Sequence, residues 1–231
     1  MPGILPEWRR PTRLIKNTFL DDYFSARVLL LHFDGQNNSS VFTDSSSYAN
    51  SVTIAAGTPI LKTDQAKYGQ SSLYLDGNSV LAWNGVTFAQ DFTFEAQVYM
   101  ANINASNALI GATSENGNIQ LLRFNGNGTG TIMNYANGYL TTSTGSEMAG
   151  LASNTWFHVA LCRTSGVIRT FINGNIVQQS NNNSSFFINR IGAGYLGAGD
   201  RFVGYLDEVR ASNRGEYTAN FTPPTAPFPD A

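Results

Sequence analysis

The chain has one cysteine, two histidines and few charges: Asp, Glu, Lys and Arg make up 13% of its 231 residues, about half the usual share for a soluble domain. Cys162 closes no intrachain disulfide and leaves no Cys-x-x-Cys spacing for a metal, so it is expected to be a small apolar core residue. With 14 basic and 16 acidic side chains, the formal charge is −2. No broad positive field exists for a phosphate backbone, which excludes nucleic acid as an expected partner. No apolar run reaches the length of a membrane span. The opening Met1-Pro2-Gly3-Ile4-Leu5-Pro6-Glu7-Trp8-Arg9-Arg10 lacks the apolar stretch of a secretory signal, so synthesis in the cytoplasm without membrane insertion is expected. Catalytic signatures are missing too. There is no Gly-x-Ser-x-Gly elbow for a nucleophilic serine, and no Glu-x-Asp-x-Glu run, one arrangement that sets the paired carboxylates of glycoside hydrolysis on one face of a strand. Gly192-Ala193-Gly194-Tyr195-Leu196-Gly197 spells a dinucleotide fingerprint, but a strand follows instead of the helix that the mechanism needs.

What is present points to strands. Polar surface has to come from Asn, Ser, Thr and Gly, which favour turns, while Val, Ile, Phe, Tyr and Thr favour extended backbone. The run Val28-Leu29-Leu30-Leu31-His32-Phe33 ends at the turn signal Asp34-Gly35. Ser71 to Asp76 and Phe92 to Tyr99 alternate with period two; Phe92, Phe94, Ala96 and Val98 share one face and Thr93, Glu95 and Gln97 the other, so one side of that sheet is expected to be buried. Further strands are expected over 108–111, 119–124, 131–135, 156–162, 167–172, 176–179, 186–191 and 202–210. Asn125-Gly126, Asn137-Gly138 and Asn173-Gly174 suit tight hairpins, whose central residues need positive φ. The spacing predicts an all-β, antiparallel sandwich over residues 26–212. Residues 1–25, with three prolines, four basic residues and scattered apolar ones, form an N-terminal arm; residues 213–231 form a proline-rich strap too broken for a central strand.

Seven landmarks stand in register along this region. They are Leu31-His32-Phe33-Asp34-Gly35, Phe42-Thr43-Asp44-Ser45-Ser46-Ser47, Tyr68-Gly69-Gln70-Ser71-Ser72-Leu73-Tyr74-Leu75-Asp76-Gly77, Asp91-Phe92-Thr93-Phe94-Glu95, Thr155-Trp156-Phe157-His158-Val159-Ala160-Leu161, Phe171-Ile172-Asn173-Gly174 and Gly204-Tyr205-Leu206-Asp207-Glu208-Val209-Arg210. From about residue 28 to 212 the series resembles the laminin G-like, concanavalin A-like superfamily. That resemblance implies a jelly-roll sandwich and a role in binding carbohydrate, protein or surfaces. It also implies Ca²⁺ at the rim, with Asp34, Asp44 and Asp207 at acidic landmarks and Asn50 and Glu208 as further oxygen donors. Each Asp equally suits a turn cap bonded to its own backbone. The ending Tyr217 to Pro227 looks like versions of the domain found in marine bacteriophage virion proteins.

Function follows as a set of expectations. The chain is read as a non-enzymatic virion structural protein of the capsid-decoration or tail-fibre type, displayed on the virion surface, with a stand-alone lectin as the alternative. Trp8, Arg9, Arg10, Leu14 and Ile15 would hold the arm to other virion proteins through aromatic anchors and bidentate Arg contacts. Sheet edges and arm exchange would favour homo-oligomers. For glycans, Trp83, Tyr135, Tyr139 and Tyr195 lie near Asn-Gly-rich segments, where a ring can stack on a sugar face. His158, facing away from Phe157, Val159 and Leu161, and His32 are read as hydrogen-bonded structural residues.

Overall fold

A computed structural model describes residues 25–112, 119–125, 130–194 and 201–230. The described residues form fourteen strands: β1 (Arg27–Leu31), β2 (Thr53–Ala56), β3 (Ile60–Lys62), β4 (Ser72–Asp76), β5 (Val80–Phe88), β6 (Phe92–Met100), β7 (Ser106–Gly111), β8 (Ile119–Asn125), β9 (Thr131–Ala136), β10 (Trp156–Thr164), β11 (Val167–Ile172), β12 (Asn175–Asn181), β13 (Phe186–Ile191) and β14 (Val203–Ser212). They make two antiparallel sheets. One runs β12-β11-β10-β6-β14-β4-β3 with β1 also on β14; the other runs β2-β5-β13-β7-β8-β9. The expected jelly-roll sandwich is what the chain forms.

The inner faces supply the core. Leu29, Leu31, Phe92, Phe94, Ala96, Val98, Val159, Leu161 and Leu206 from the larger sheet meet Leu81, Leu109, Leu121, Phe124, Ile188 and Ile191 from the smaller. Phe88, Phe92 and Phe186 pack ring to ring at 4.6–5.9 Å. The Asn173-Gly174 hairpin forms as expected, with φ of 47° and 76°.

Two expectations change. The alternation in β6 predicts one buried and one open face, yet Thr93, Glu95 and Gln97 are as buried as Phe92 and Phe94. The cause is the C-terminal strap, which lies across the outer face of the larger sheet. Tyr217 and Phe221 stack at 3.6 Å and 2° and press on Phe171, forming a small second core with Ala160 and Cys162. Gly174 makes this possible: the Phe221 amide donates to its carbonyl at 2.9 Å, and a Cβ there would come 1.9 Å from the Phe221 oxygen. The second change concerns Trp83. Asn84-Gly85 is no loop but a bulge inside β5, where pairing with β13 shifts register. Trp83 therefore points into the core at 5% exposure and offers no sugar platform.

Candidate functional site

The outer face of the larger sheet is organised in rows that cross the strands. Cross-strand neighbours on one face of antiparallel strands have their Cβ atoms about 4.5–5.5 Å apart, so register alone brings together residues distant in sequence. Tyr205 of β14 pairs with Tyr74 of β4 on one side and Tyr99 of β6 on the other, and Tyr99 pairs with Trp156 of β10. Their ring centroids are 5.1, 5.5 and 5.4 Å apart in the order Tyr74, Tyr205, Tyr99, Trp156. All four residues are half-buried. Gly204 allows the close approach, since a Cβ there would meet the Tyr99 carbonyl at 2.0 Å.

Two residues further along the strands, the next row holds Asp207, Gln97 and His158, again in direct register. Beyond it Glu95 faces Arg210. These two rows lie under the strap. Glu95, with no exposed surface, accepts from Arg210 Nε at 2.9 Å and Nη2 at 2.5 Å, from the Tyr217 hydroxyl at 2.8 Å, and bonds His158 Nε2 at 3.0 Å. Burial opposes its charge, but the Arg210 guanidinium and the His158 hydrogen bond override it and hold the carboxyl down at about 2. The expected structural role of His158 is met. His32 has the same kind of role, bonded to Glu208 at 2.8 Å and Asp230 at 3.0 Å.

Where the aromatic row meets the strap there is a pocket of about 400 Å³. Lys67, Tyr68, Gln97, Trp156 and Asn173 line it, and Thr222 to Thr225 of the strap form one wall. The Tyr68 hydroxyl donates to the Pro224 carbonyl at 2.6 Å, which fixes that wall. Asp207 holds the opposite turn by accepting the amides of Lys67 and Tyr68 at 2.8 and 3.0 Å. The arrangement offers flat apolar rings beside amide, hydroxyl and ammonium groups, and no carboxylate lines the pocket.

The five oxygen donors expected around calcium do not form one shell. Asp44 and Asn50 do meet, but as a turn lock: the Asp44 carboxylate takes the amides of Leu30, Ser46 and Asn50, the Ser46 hydroxyl and the Asn50 side-chain amide. Asp34 caps the amides of Gln70 and Ser71, and Glu208 takes the Phe228 amide and His32. The carboxylates of Asp34, Asp44 and Glu208 are thus committed to amides, a hydroxyl and an imidazole at separate places, and the donor set does not fit the ion. Among the described residues no group of three or more His, Cys, Asp or Glu side chains is placed to hold a metal.

Of the aromatic candidates, the structure joins Tyr135 and Tyr139, whose rings meet edge to face at 5.3 Å. Tyr195 and the arm residues Trp8, Arg9, Arg10, Leu14 and Ile15 lie outside the described residues. The row of Tyr74, Tyr99, Trp156 and Tyr205 was not singled out from the sequence. A signal existed: Tyr99 is in phase with Thr93, Glu95 and Gln97, and Trp156 with His158, so each is an aromatic on the outward phase of its strand.

Comparison with known proteins agrees with this fold. A family model for the concanavalin A-like lectin/glucanases superfamily matches residues 75–216. Domain 4 of AbnA, an extracellular arabinanase from Geobacillus stearothermophilus solved with arabinotriose, superposes at a TM-score of 0.61 and 16% identity, over 83% of this chain and 94% of that one. The binding domain of Paraclostridial Mosquitocidal Protein 1 superposes at 0.56 and 14% identity, and a Trypanosoma rangeli sialidase in complex with sialic acid at 0.58 and 18%. The match takes in 84% and 83% of this chain, which spans half of the second solved chain and 31% of the third. No curated protein sequence matches the chain.

Proposed function

Because the chain belongs to the concanavalin A-like lectin/glucanase superfamily, we propose that it is a non-catalytic carbohydrate-binding module whose ligand lies along the aromatic row. The carrying observation is the row itself: four rings in contact across four adjacent strands, partly exposed, with a polar pocket at the Trp156 end. Sugar rings present C–H faces that stack on aromatics and rims of hydroxyls that need hydrogen-bond partners, and a binding site for them combines both kinds of group. The row supplies the first and Gln97, Asn173 and Lys67 supply the second. The arabinotriose held by the AbnA domain is consistent with this reading. Hydrolysis is not supported: Glu95 is sealed beneath the strap and committed to Arg210, His158 and Tyr217, so it reaches no substrate.

Trp156→Ala is expected to weaken binding to an oligosaccharide panel about tenfold or more, since Trp156 belongs to both the row and the pocket and an aromatic anchor carries a large share of the binding energy. Isothermal titration of folded variants measures this; unchanged affinity in both Trp156→Ala and Tyr99→Ala sinks the row as the site.

The finer setting is that of a virion surface protein, with residues 1–25 attaching the sandwich to capsid or tail. The strands described for both sheets lie between Arg27 and Ser212, and the strap at the other end folds back on the domain. Deleting residues 1–25 is therefore expected to leave the melting temperature and sugar binding unchanged while preventing incorporation into particles. Normal incorporation in a complementation assay removes the attachment role.

A further inference from the structure

A second groove lies on the other sheet and shares no residue with the aromatic row. The Asn137-Gly138 turn folds the chain back so that Tyr139 bridges to Tyr135, leaving the Tyr139 ring 70% exposed. Between this ring and β9 runs a groove of about 540 Å³, with Met133 and Thr131 on the strand side and Thr141, Thr142 and Ser143 opposite. That size falls within the roughly 300–1,000 Å³ of small-ligand sites.

The far wall is held by a buried polar network. Asn134 is fully buried: its Nδ2 lies 3.0 Å from Thr141 Oγ1, 2.9 Å from Thr170 Oγ1 and 3.1 Å from Gln178 Oε1, so its two hydrogens are shared among three oxygens, and its Oδ1 accepts the Leu122 amide at 2.9 Å. Thr141 donates to Gln178 Oε1 at 2.9 Å, and Gln178 Nε2 donates to Glu147 at 3.0 Å. Glu147 in turn takes the Thr144 amide and the Ser143 hydroxyl. Burial resists the Glu147 charge, but these donors outweigh it and keep the carboxyl below its usual range. The loop 141–147 is thereby fixed to the edges of both sheets, so the groove exists before any ligand arrives. Preorganisation of this kind removes the ordering cost of binding.

None of the described residues lining the groove is charged. The described lining combines one exposed ring and a thioether with hydroxyl and amide groups, a set that suits an uncharged amphipathic ligand. We propose that this groove is a second saccharide site, taking a short neutral oligosaccharide whose ring stacks on Tyr139 and whose hydroxyls bond Thr142, Ser143 and Asn125. The inference rests on the carbohydrate-binding reading and extends it: one chain would carry two sites on different sheets and bind polysaccharide bivalently, with an avidity neither site has alone.

The test is titration calorimetry of the full chain with arabinotriose, cellohexaose, xylohexaose and chitohexaose. At least one probe is expected to bind the unaltered protein with a stoichiometry of two. Tyr139→Ala should reduce this to one, and Tyr139→Phe, which keeps the ring, should restore it. Because Tyr139 is exposed, its removal leaves the core intact, and an unchanged melting temperature confirms that. Binding that Tyr139→Ala leaves untouched overturns the groove as a site, and if Trp156→Ala then abolishes it, the aromatic row stands alone. Binding lost with Tyr139→Ala but not with Trp156→Ala keeps the groove and overturns the row. Absence of saturable binding to every probe overturns both.

Discussion

Replacing Arg210 by Ala is expected to lower the unfolding free energy by about 3–5 kcal/mol, the usual cost of stranding one partner of a buried ion pair. Glu95 has no exposed surface and Arg210 retains 7%, so neither charge can turn to water. The guanidinium makes two bonds to one carboxylate oxygen and lies 4.1 Å from the Phe228 ring centroid, so the substitution also removes the support under the strap. Urea midpoints at pH 7 measure the loss, and a change under about 1 kcal/mol would show that His158 and Tyr217 alone can satisfy Glu95. A Glu95→Gln/Arg210→Met double variant should cost less than the sum of its single changes, because each single change leaves the other group unpaired. The pair also sets an acid limit. The Glu95 carboxyl is depressed from 4.5 to about 2 in the fold, so its contribution is complete above pH 4.5 and disappears as pH falls toward 2.

The same ion pair marks where the sequence stopped being legible. Local pattern identified β1, β4 and β6 to β14, because alternation in strands such as 92–99 and Asn-Gly turns such as 173–174 are properties of consecutive residues. It passed over β2, β3 and β5 for physical reasons. β2 is an exposed edge strand without alternation, β3 has three residues, and β5 contains Asn84-Gly85, which punctuates a strand as a bulge in the same letters that elsewhere end one. The burial of Glu95 was not readable from β6, since it depends on Tyr217, Phe221 and Phe228 arriving from the far end of the chain. The aromatic row is a stronger case. Tyr74 and Tyr205 are neighbours only because β4 pairs with β14, and Tyr99 and Trp156 only because β6 pairs with β10. Each ring was visible as an outward-phase aromatic, but the row exists only in the sheet order. Acidic landmarks, by contrast, were visible by position and misleading by chemistry, since Asp34 and Asp44 use their oxygens on backbone amides.

Changing Asp207 to Asn is expected to flatten the pH dependence of stability and to make the protein more stable than its parent above neutrality. Asp207 is fully buried, with one oxygen on the Lys67 and Tyr68 amides and the other, Oδ1, without a hydrogen-bond partner. Burial pushes its carboxyl from 3.8 up to about 7, against the two amides that favour the charge and with added repulsion from Glu208. Between these values the folded chain holds a proton that the unfolded chain has lost. Stability therefore falls as pH rises from about 4 to 7, by roughly 1.4 kcal/mol per pH unit where the difference is a full proton. His32 adds a decline at higher pH: the Glu208 hydrogen bond lifts it from 6.5 to about 9, so its contribution is present below 6.5 and lost as pH passes 9. The window from 4.5 to 6.5 lies above the loss from Glu95 and below that from His32, and Glu216, whose carboxyl burial also raises, is common to both proteins, so the difference between them reports Asp207. Asn keeps an oxygen for the two amides and cannot ionise. Urea unfolding at pH 4.5, 5.5 and 6.5 should thus show the parent losing stability relative to Asp207→Asn at each step, and parallel curves would mean that Asp207 is ionised throughout. Since Lys67 and Tyr68 line the pocket beside Trp156, saccharide affinity on the same samples tests whether that buried proton also holds the binding face in shape: the parent should weaken from pH 4.5 to 6.5 and the Asn variant should not.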